Sequence, residues 1–268
     1  MLKTIAEIGW NFMGDMELAR KMIQAAKQCG ADYAKFQYWN ETKLASGVWD
    51  EDGRREIYKS AQLDRDKIEC LMNYCDEAKI NFLISCFNSD DAQFLKEIGI
   101  ENIKIPSHEI ANKELHNYAA TNFKMCFVSL GAGSSDEIIS AAKIYNDACV
   151  PWVGMHCVSS YPCPIEKVNL PKLYFLKSFV TNLGFSDHTS ETITPSIAYA
   201  LGARVIEKHF TIDNSLPGRD NKFALEPEAF TEMVGLLKMA EKSMVDLGVE
   251  ASDLELDTIK NYRGRWGR

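Results

Sequence analysis

Eight short runs rich in Val, Ile and Phe punctuate the chain at intervals long enough to hold a helix. They are KTIAEIG (3–9), DYAKFQ (32–37), NFLISCF (81–87), NIKIPS (102–107), KMCFVSL (124–130), WVGMHCV (152–158), TNLGFSD (181–187) and ARVIEKHF (203–210). Between most of them lie stretches such as MELARKMIQAAKQCG, DKIECLMNYCDEAK, DDAQFLKEIG, SDEIISAAKIYND and TITPSIAYALG, whose apolar positions recur three or four residues apart and which often stop at glycine. A strand, a helical crossover and another strand, repeated, is the pattern of a parallel sheet. Eight repeats and a closing helix, EPEAFTEMVGLLKMAEKSMVDLG, within 268 residues predict an α/β fold of the (β/α)8 or TIM-barrel type, with a doubly wound open sheet as the alternative. No Gly/Ser-rich or Pro-rich linker divides the chain, so residues 1–250 read as one barrel and 251–268 as a C-terminal helix or tail.

The formal net charge of −8 argues against a nucleic-acid surface but leaves room for a local basic pocket that holds a small anion. No apolar run approaches the roughly 18 residues needed to cross a bilayer, and MLKTIAEIGW lacks the basic and then apolar pattern of a secretory signal. A soluble, cytoplasmic protein with no membrane partner is the expectation. Eight cysteines are scattered without a CxxC pair, which fits reduced, mostly buried thiols better than a disulfide framework or a zinc cluster.

Polar residues collect at the C-terminal ends of the strand-like runs. In VIEKHF, Glu207 and His209 share one face of a strand while Ile206, Lys208 and Phe210 share the other. The same alternation pairs Ser186 with His188 in GFSDHT and Lys35 with Gln37 in AKFQ. Glu7, Ser85, Lys104, Ser107, Ser129 and His156 stand at other strand ends. Any one of them alone is readily a satisfied buried polar group or a loop residue in water. Barrel closure would bring the whole set to one mouth, where lysines and serines suit a phosphate and a carboxylate.

His188 and His209 end successive strands, about 5 Å apart in a sheet, so they can chelate one divalent ion with open positions left over, or be ordinary core histidines. GAG at 131–133 before SSDE resembles a phosphate turn, although Ser134 or Ser135 as a helix cap is the simpler reading. YWNETKLASGVWDEDGRREIYKS, the longest connection, is a candidate active-site loop. The tail IKNYRGRWGR holds Lys260, Arg263, Arg265 and Arg268 beside Tyr262 and Trp266, and reads as a solvated or packed end.

AEIGWNFMGDMELARKMIQAAKQCGADYAKFQ, GFSDHTSETITPSIAYALGARVIEKHFT and LPGRDNKFALEPEAF resemble, in order, the opening, the hallmark and the following segment of the sialic acid synthases, N-acetylneuraminate synthase and its relatives for legionaminate and pseudaminate. The likeness covers nearly the whole chain. It implies a (β/α)8 barrel that condenses phosphoenolpyruvate with an aldehyde amino sugar similar to N-acetylmannosamine, yielding a 2-keto-3-deoxy nonulosonic acid and phosphate. By the same resemblance His188 and His209 hold a divalent metal, usually Mn²⁺, with Mg²⁺ or Co²⁺ as alternatives. Lys35, Ser85, Lys104, Ser107, Ser129, Ser159 and Ser186 match positions around phosphoenolpyruvate, and Gln37, Tyr161, Glu207 and Asp220 positions near the sugar. Glu7 and Glu109 match two further pocket carboxylates, Glu109 as a proton handler. A homodimer is also implied.

The chain departs from that pattern in three places. It stops before the C-terminal antifreeze-like domain whose arginine enters the partner's sugar pocket in many bacterial members, a role that the basic tail is a candidate to take over. Phe12 stands where NHNGD has histidine, and Val158 where HCTxxYP has threonine. The competing readings are a metal-dependent barrel lyase, isomerase or hydrolase acting on a sugar or sugar phosphate, and a subunit without turnover.

Overall fold

Parallel pairing runs unbroken around a closed barrel of eight strands in sequence order, β1 (Lys3–Gly9), β2 (Tyr33–Gln37), β3 (Asn81–Ser85), β4 (Asn102–Ile105), β5 (Met125–Ser129), β6 (Trp152–His156), β7 (Leu183–Asp187) and β8 (Val205–His209), with β8 pairing back onto β1. The structure, a computed structural model, describes residues 2–267. Its helices are α1 (Met16–Gln28), α2 (Arg54–Ala61) and α3 (Arg65–Ala78), α4 (Ser89–Ile98), α5 (Lys113–Asn122), α6 (Ser135–Asp147), α7 (Lys172–Leu176), α8 (Thr194–Ala200), α9 (Pro227–Ser243) and a terminal α10 (Leu256–Asn261). The expected (β/α)8 barrel is what forms, and each strand-like run of the sequence contains one of its strands.

Local chemistry fixes where the helices begin. Asp15, Asp64, Asn88 and Asn112 each accept backbone N–H groups at the starts of α1, α3, α4 and α5. At α6, Ser134 and Glu137 exchange a capping box, so SSDE is a helix start, as the simpler reading had it. A helix that follows a strand in this fold starts on the face where the strand ends, so these caps edge the mouth of the barrel. The apolar layer between strands and helices is one continuous core, including Ile8, Phe36, Ile84, Ile105, Val128 and Phe185. A separate cluster, Ile5, Leu83, Phe127, Val153, Met155 and Val205, plugs the lower lumen. Each such side chain, fully buried, contributes roughly 1.5–3 kcal/mol, and the plug leaves only the C-terminal mouth open for chemistry.

Three helices were not evident in the sequence, one of them α2, which lies inside the long connection after β2. α5 is short and its polar face is rich in Asn, while α7 spans only 5 residues after Pro171. Beyond α9 the chain runs through exposed residues to α10, with Leu247, Val249, Leu254 and Trp266 all more than four-fifths exposed. Six of the eight cysteines are buried and all are free, as expected of small hydrophobes.

Candidate active site

Register determines which side chains meet in the lumen. Adjacent Cα partners in a sheet point the same way, and the pairs Ser186↔Glu207, Glu7↔His209, Glu7↔Lys35, Gln37↔Ser85 and Ser85↔Lys104 carry one polar layer around the barrel above the apolar plug. They line a cavity of about 690 Å³. In its floor two lysines and two glutamates alternate. Lys35 Nζ lies 2.9 Å from Glu7 and 3.5 Å from Glu207, and Lys104 Nζ lies 3.4 Å from Glu207. Lys104 also donates to Ser129 Oγ at 2.7 Å, Ser186 to Glu207 at 2.9 Å, and Gln37 to Glu7 at 2.5 Å.

These four charges are nearly inaccessible to solvent, so their ionisation is set by one another. Burial alone would raise the Glu207 carboxyl, but Lys104 and Lys35 bring it down to about 2. Glu7 is pushed up by burial, with Lys35 opposing and the Glu207 charge reinforcing. Burial lowers Lys104, whereas for Lys35 it is outweighed by the two glutamates and the ammonium is held above its usual range. Two cations set among carboxylates and hydroxyls are of the chemistry that suits a small anion.

Above this floor the imidazoles of His188 and His209 face each other with ring centroids 5.6 Å apart. His188 Nδ1 donates to the Val158 carbonyl at 2.6 Å, which fixes the tautomer and leaves Nε2 with a lone pair directed into the pocket, 3.4 Å from Ser186 Oγ. His209 Nδ1 and Glu207 Oε2 are buried and have no hydrogen-bond partner. Burial holds both imidazoles neutral, His188 at about 4 and His209 well below its ordinary value, with the neighbouring His188 adding to the latter. Neutral nitrogens, an orphaned ring atom and an orphaned carboxylate oxygen fit a divalent cation. Among the described residues no group of three or more His, Cys, Asp or Glu side chains is placed to hold a metal, so the fit is that of a two-histidine site with open positions.

Lys208, the third ionisable residue of VIEKHF, points outward. It donates to Asp187 at 2.7 Å and to the carbonyls of Thr189 and Glu191 at 2.6 and 2.9 Å, tying the loop after β7, which begins with His188, down onto β8. Gly9 (φ +57) ends β1 beside the floor, where an added Cβ would meet Gln37 Nε2 at 3.2 Å and Glu7 Oε1 at 3.3 Å.

Of the residues singled out in the sequence, Glu7, Lys35, Gln37, Ser85, Lys104, Ser107, Glu109, Ser129, Tyr161, Ser186, His188, Glu207, His209 and Asp220 all line the one cavity. Ser159 does not line it but reaches it through Ser107, Oγ to Oγ 2.6 Å. Glu109 sits at the mouth, accepting from Asn112 at 2.7 Å. Tyr161 lies over His188 at 4.3 Å between centroids. Asp220 accepts from the Trp10 indole at 2.9 Å, and burial still raises its carboxyl to about 6.

His156 is a correction. Ser129 pairs with Met155, so Met155 takes the lumen position and His156 faces outward, stacked on Phe185 at 5.7 Å with Nε2 on the Val168 carbonyl at 2.8 Å. The basic tail fits the reading of a solvated end: Lys260, Arg263 and Arg265 are exposed, and Arg268 lies outside the described residues. Of the two sequence departures, Phe12 is a core residue edge-on to Phe36, and Val158 serves through its backbone carbonyl. The sequence reading missed Trp10, Trp39, Tyr58, Phe87 and Arg219, which wall the outer pocket. Trp39 and Tyr58 lie in the long connection already marked as a candidate active-site loop, which is the signal that could have found them.

A (β/α)8 barrel with a buried lysine–carboxylate floor and paired histidines at its C-terminal mouth defines the class. Residues 22–248 match the NeuB family, and the chain belongs to it. It is 33% identical over 270 residues to the pseudaminic acid synthase of Campylobacter jejuni, spanning 96% of this chain and 78% of that one. Against the N,N'-diacetyllegionaminic acid synthase of Legionella pneumophila it is 31% identical over 273 residues, 94% of this chain and 76% of that protein. The crystal structure of the N-acetylneuraminic acid synthetase of Leptospira borgpetersenii superposes with a TM-score of 0.90 at 32% identity, covering 99% of this chain and 92% of that one.

Proposed function

We propose that the chain condenses phosphoenolpyruvate with the open-chain aldehyde of an amino sugar to give a 2-keto-3-deoxy nonulosonic acid and inorganic phosphate. The observation that carries this is the placement of two buried lysines and a ring of serines in the same lumen as two neutral histidines. Lys35 and Lys104, with Ser85, Ser107, Ser129 and Ser186 around them, hold the phosphate and carboxylate of phosphoenolpyruvate. Its C3 then lies near an aldehyde seated among Gln37, Tyr161, Glu207 and Asp220. Holding the two reactants in contact removes most of the entropic barrier of a bimolecular step.

The C3–aldehyde bond forms as the aldehyde oxygen takes a proton and C2 becomes cationic. Water adds at C2 and releases its proton, and the tetrahedral centre collapses with cleavage of the C2–O bond to expel phosphate. Glu109, at the mouth, and Glu7, whose carboxyl is raised, are the groups placed to hold these protons. His188 and His209 would hold the divalent ion, Mn²⁺ in this proposal with Mg²⁺ or Co²⁺ as alternatives; its chemistry is Lewis-acid polarisation of the aldehyde.

The barrel (residues 1–250) is the proposed folding unit, and the protein is proposed to act as a homodimer in the cytoplasm. The free thiols support a reducing compartment, and among the described residues no helix is long and apolar enough to cross a membrane. The test of the chemistry is phosphate release from phosphoenolpyruvate with a panel of aldehyde amino sugars and Mn²⁺. Release that needs both substrates is expected. Turnover of a sugar phosphate without phosphoenolpyruvate would instead mark a lyase, isomerase or hydrolase.

A further inference from the structure

His188 and His209 reach the same pocket from backbone that is held unequally. His209 lies within β8, in register with Glu7 of β1, and its carbonyl accepts the Leu225 N–H at 2.9 Å. His188 stands one residue past the end of β7, beyond Asp187↔Lys208, the last pair of the β7–β8 ladder. Where that ladder ends, a side chain carries it on. Lys208, the residue before His209, is buried and donates through Nζ to Asp187 Oδ2 at 2.7 Å and to the Thr189 carbonyl at 2.6 Å, so it grips the residues on both sides of His188. Asp187 in turn accepts the Thr189 N–H at 2.9 Å and the Thr194 hydroxyl at 2.6 Å, which pins the turn after His188 to the start of α8.

Ser186 and Glu207 line the cavity, so Asp187 and Lys208, of the opposite parity, face the helix layer behind the wall. A buried ion pair gains little stability over apolar side chains of the same volume, so stability alone does not account for this one. Two imidazoles chelate one ion only while their separation is held, and here the ring centroids lie 5.6 Å apart. We propose that Lys208 and Asp187 are positioning residues: by clamping both flanks of His188 to β8 they set the separation of the two imidazoles, and with it the affinity of the pair for a divalent ion. This rests on the two-histidine site proposed above and adds what holds it in shape.

Lys208→Met alone would strand the Asp187 carboxylate in the interior, so the experiment uses the double variant Lys208→Met with Asp187→Leu, which removes both charges together. Thr194→Val, near-isosteric, loosens the same clamp without touching either charge. Leu95→Ala, a buried residue of α4 across the barrel, supplies a control for loss of stability without loss of the clamp. Calorimetry measures the Kd of Mn²⁺ alone and of phosphoenolpyruvate alone for each protein, after a check for a cooperative melt. The Mn²⁺ Kd is expected to weaken about 10–100-fold in the double variant and about threefold or more in Thr194→Val, as loss of a ligand's supporting contacts does. Phosphoenolpyruvate binding should stay within about twofold in both, since Lys35 and Lys104 are held by other strands. In phosphate release, the Mn²⁺ concentration for half-maximal rate should rise while KM for phosphoenolpyruvate does not. Leu95→Ala should lower the melt and leave the Mn²⁺ Kd unchanged. Wild-type Mn²⁺ affinity in either clamp variant overturns the clamp and leaves the two-histidine site and the condensation intact. Equal losses of both ligands, or a loss of Mn²⁺ affinity in Leu95→Ala as large as in the double variant, overturn it as well, by making the pair merely structural. A wild type that binds phosphoenolpyruvate but no Mn²⁺ overturns the metal site and the clamp together.

Discussion

His188 and His209 enter the pocket under different constraints. The first is fixed through Nδ1 by a carbonyl and the second keeps an unpartnered buried Nδ1. Removal of either ring should abolish divalent-ion binding measured by calorimetry. Phosphate release should fall by about a thousandfold, in line with the several kcal/mol a Lewis acid contributes. Treatment with a chelator should reproduce that loss in the wild type, and Mn²⁺ should restore it. An alanine variant of either histidine that still binds the ion and turns over would remove the two-histidine site. In the floor, Lys104→Met leaves Glu207 with only Lys35 opposite and withdraws one of two cations from the anion. Truncating one partner of a buried, hydrogen-bonded charge pair costs roughly 2–5 kcal/mol, so KM for phosphoenolpyruvate should rise at least about thirtyfold in steady-state assays. A KM within twofold of wild type would place the anion elsewhere.

At the scale of elements, the segment joining β5 to α6 shows how close packing shapes one side of the site. A Cβ added at Gly131 would meet Cys157 Sγ at 2.5 Å and its carbonyl oxygen at 2.8 Å, two residues beyond Ser129. Gly131→Ala should therefore lower stability by about 1–3 kcal/mol, read as a drop in the denaturant midpoint, as overpacking in a tight interior does. Ser134→Ala three residues on removes only a cap and should cost about 1 kcal/mol; equal losses for the two would mean that the close approach is relieved elsewhere. All eight strands were legible because each lies in a short run that carries β-branched or aromatic residues. The parity of VIEKHF sufficed to put Glu207 and His209 in one site. His156 was misplaced because a polar strand end was counted without its parity, and only the Ser129↔Met155 register reveals which side faces the lumen. The aromatic wall was only partly marked: Trp39 and Tyr58 lie in the connection read as a candidate active-site loop, but no local periodicity records that this connection meets Trp10.

For the whole molecule, buried histidines contribute to the response to acid, and two of them are packed outside the pocket. His156 is fully buried, and burial depresses it from its ordinary 6.5 to about 4, while His116, held by Tyr145 and the Ile110 carbonyl, is lowered for the same reason. A base whose folded pKa is depressed is protonated first in the unfolded chain. Its contribution is fully present above pH 6.5 and is lost as pH falls toward 4. For His156 this amounts to roughly 3 kcal/mol. Carboxyls that burial raises, such as Asp91, work in the opposite sense, since their charged form is penalised only in the folded state and their effect fades as they protonate. The histidine term is therefore isolated by comparing slopes rather than absolute stabilities. Urea unfolding of wild type and His156→Asn at pH 7, 5.5 and 4.5 should show the wild type losing up to about 3 kcal/mol more than the variant across that span. Parallel losses in the two proteins would mean that His156 accepts its proton without unfolding, and that acid acts first on the charged floor of the pocket.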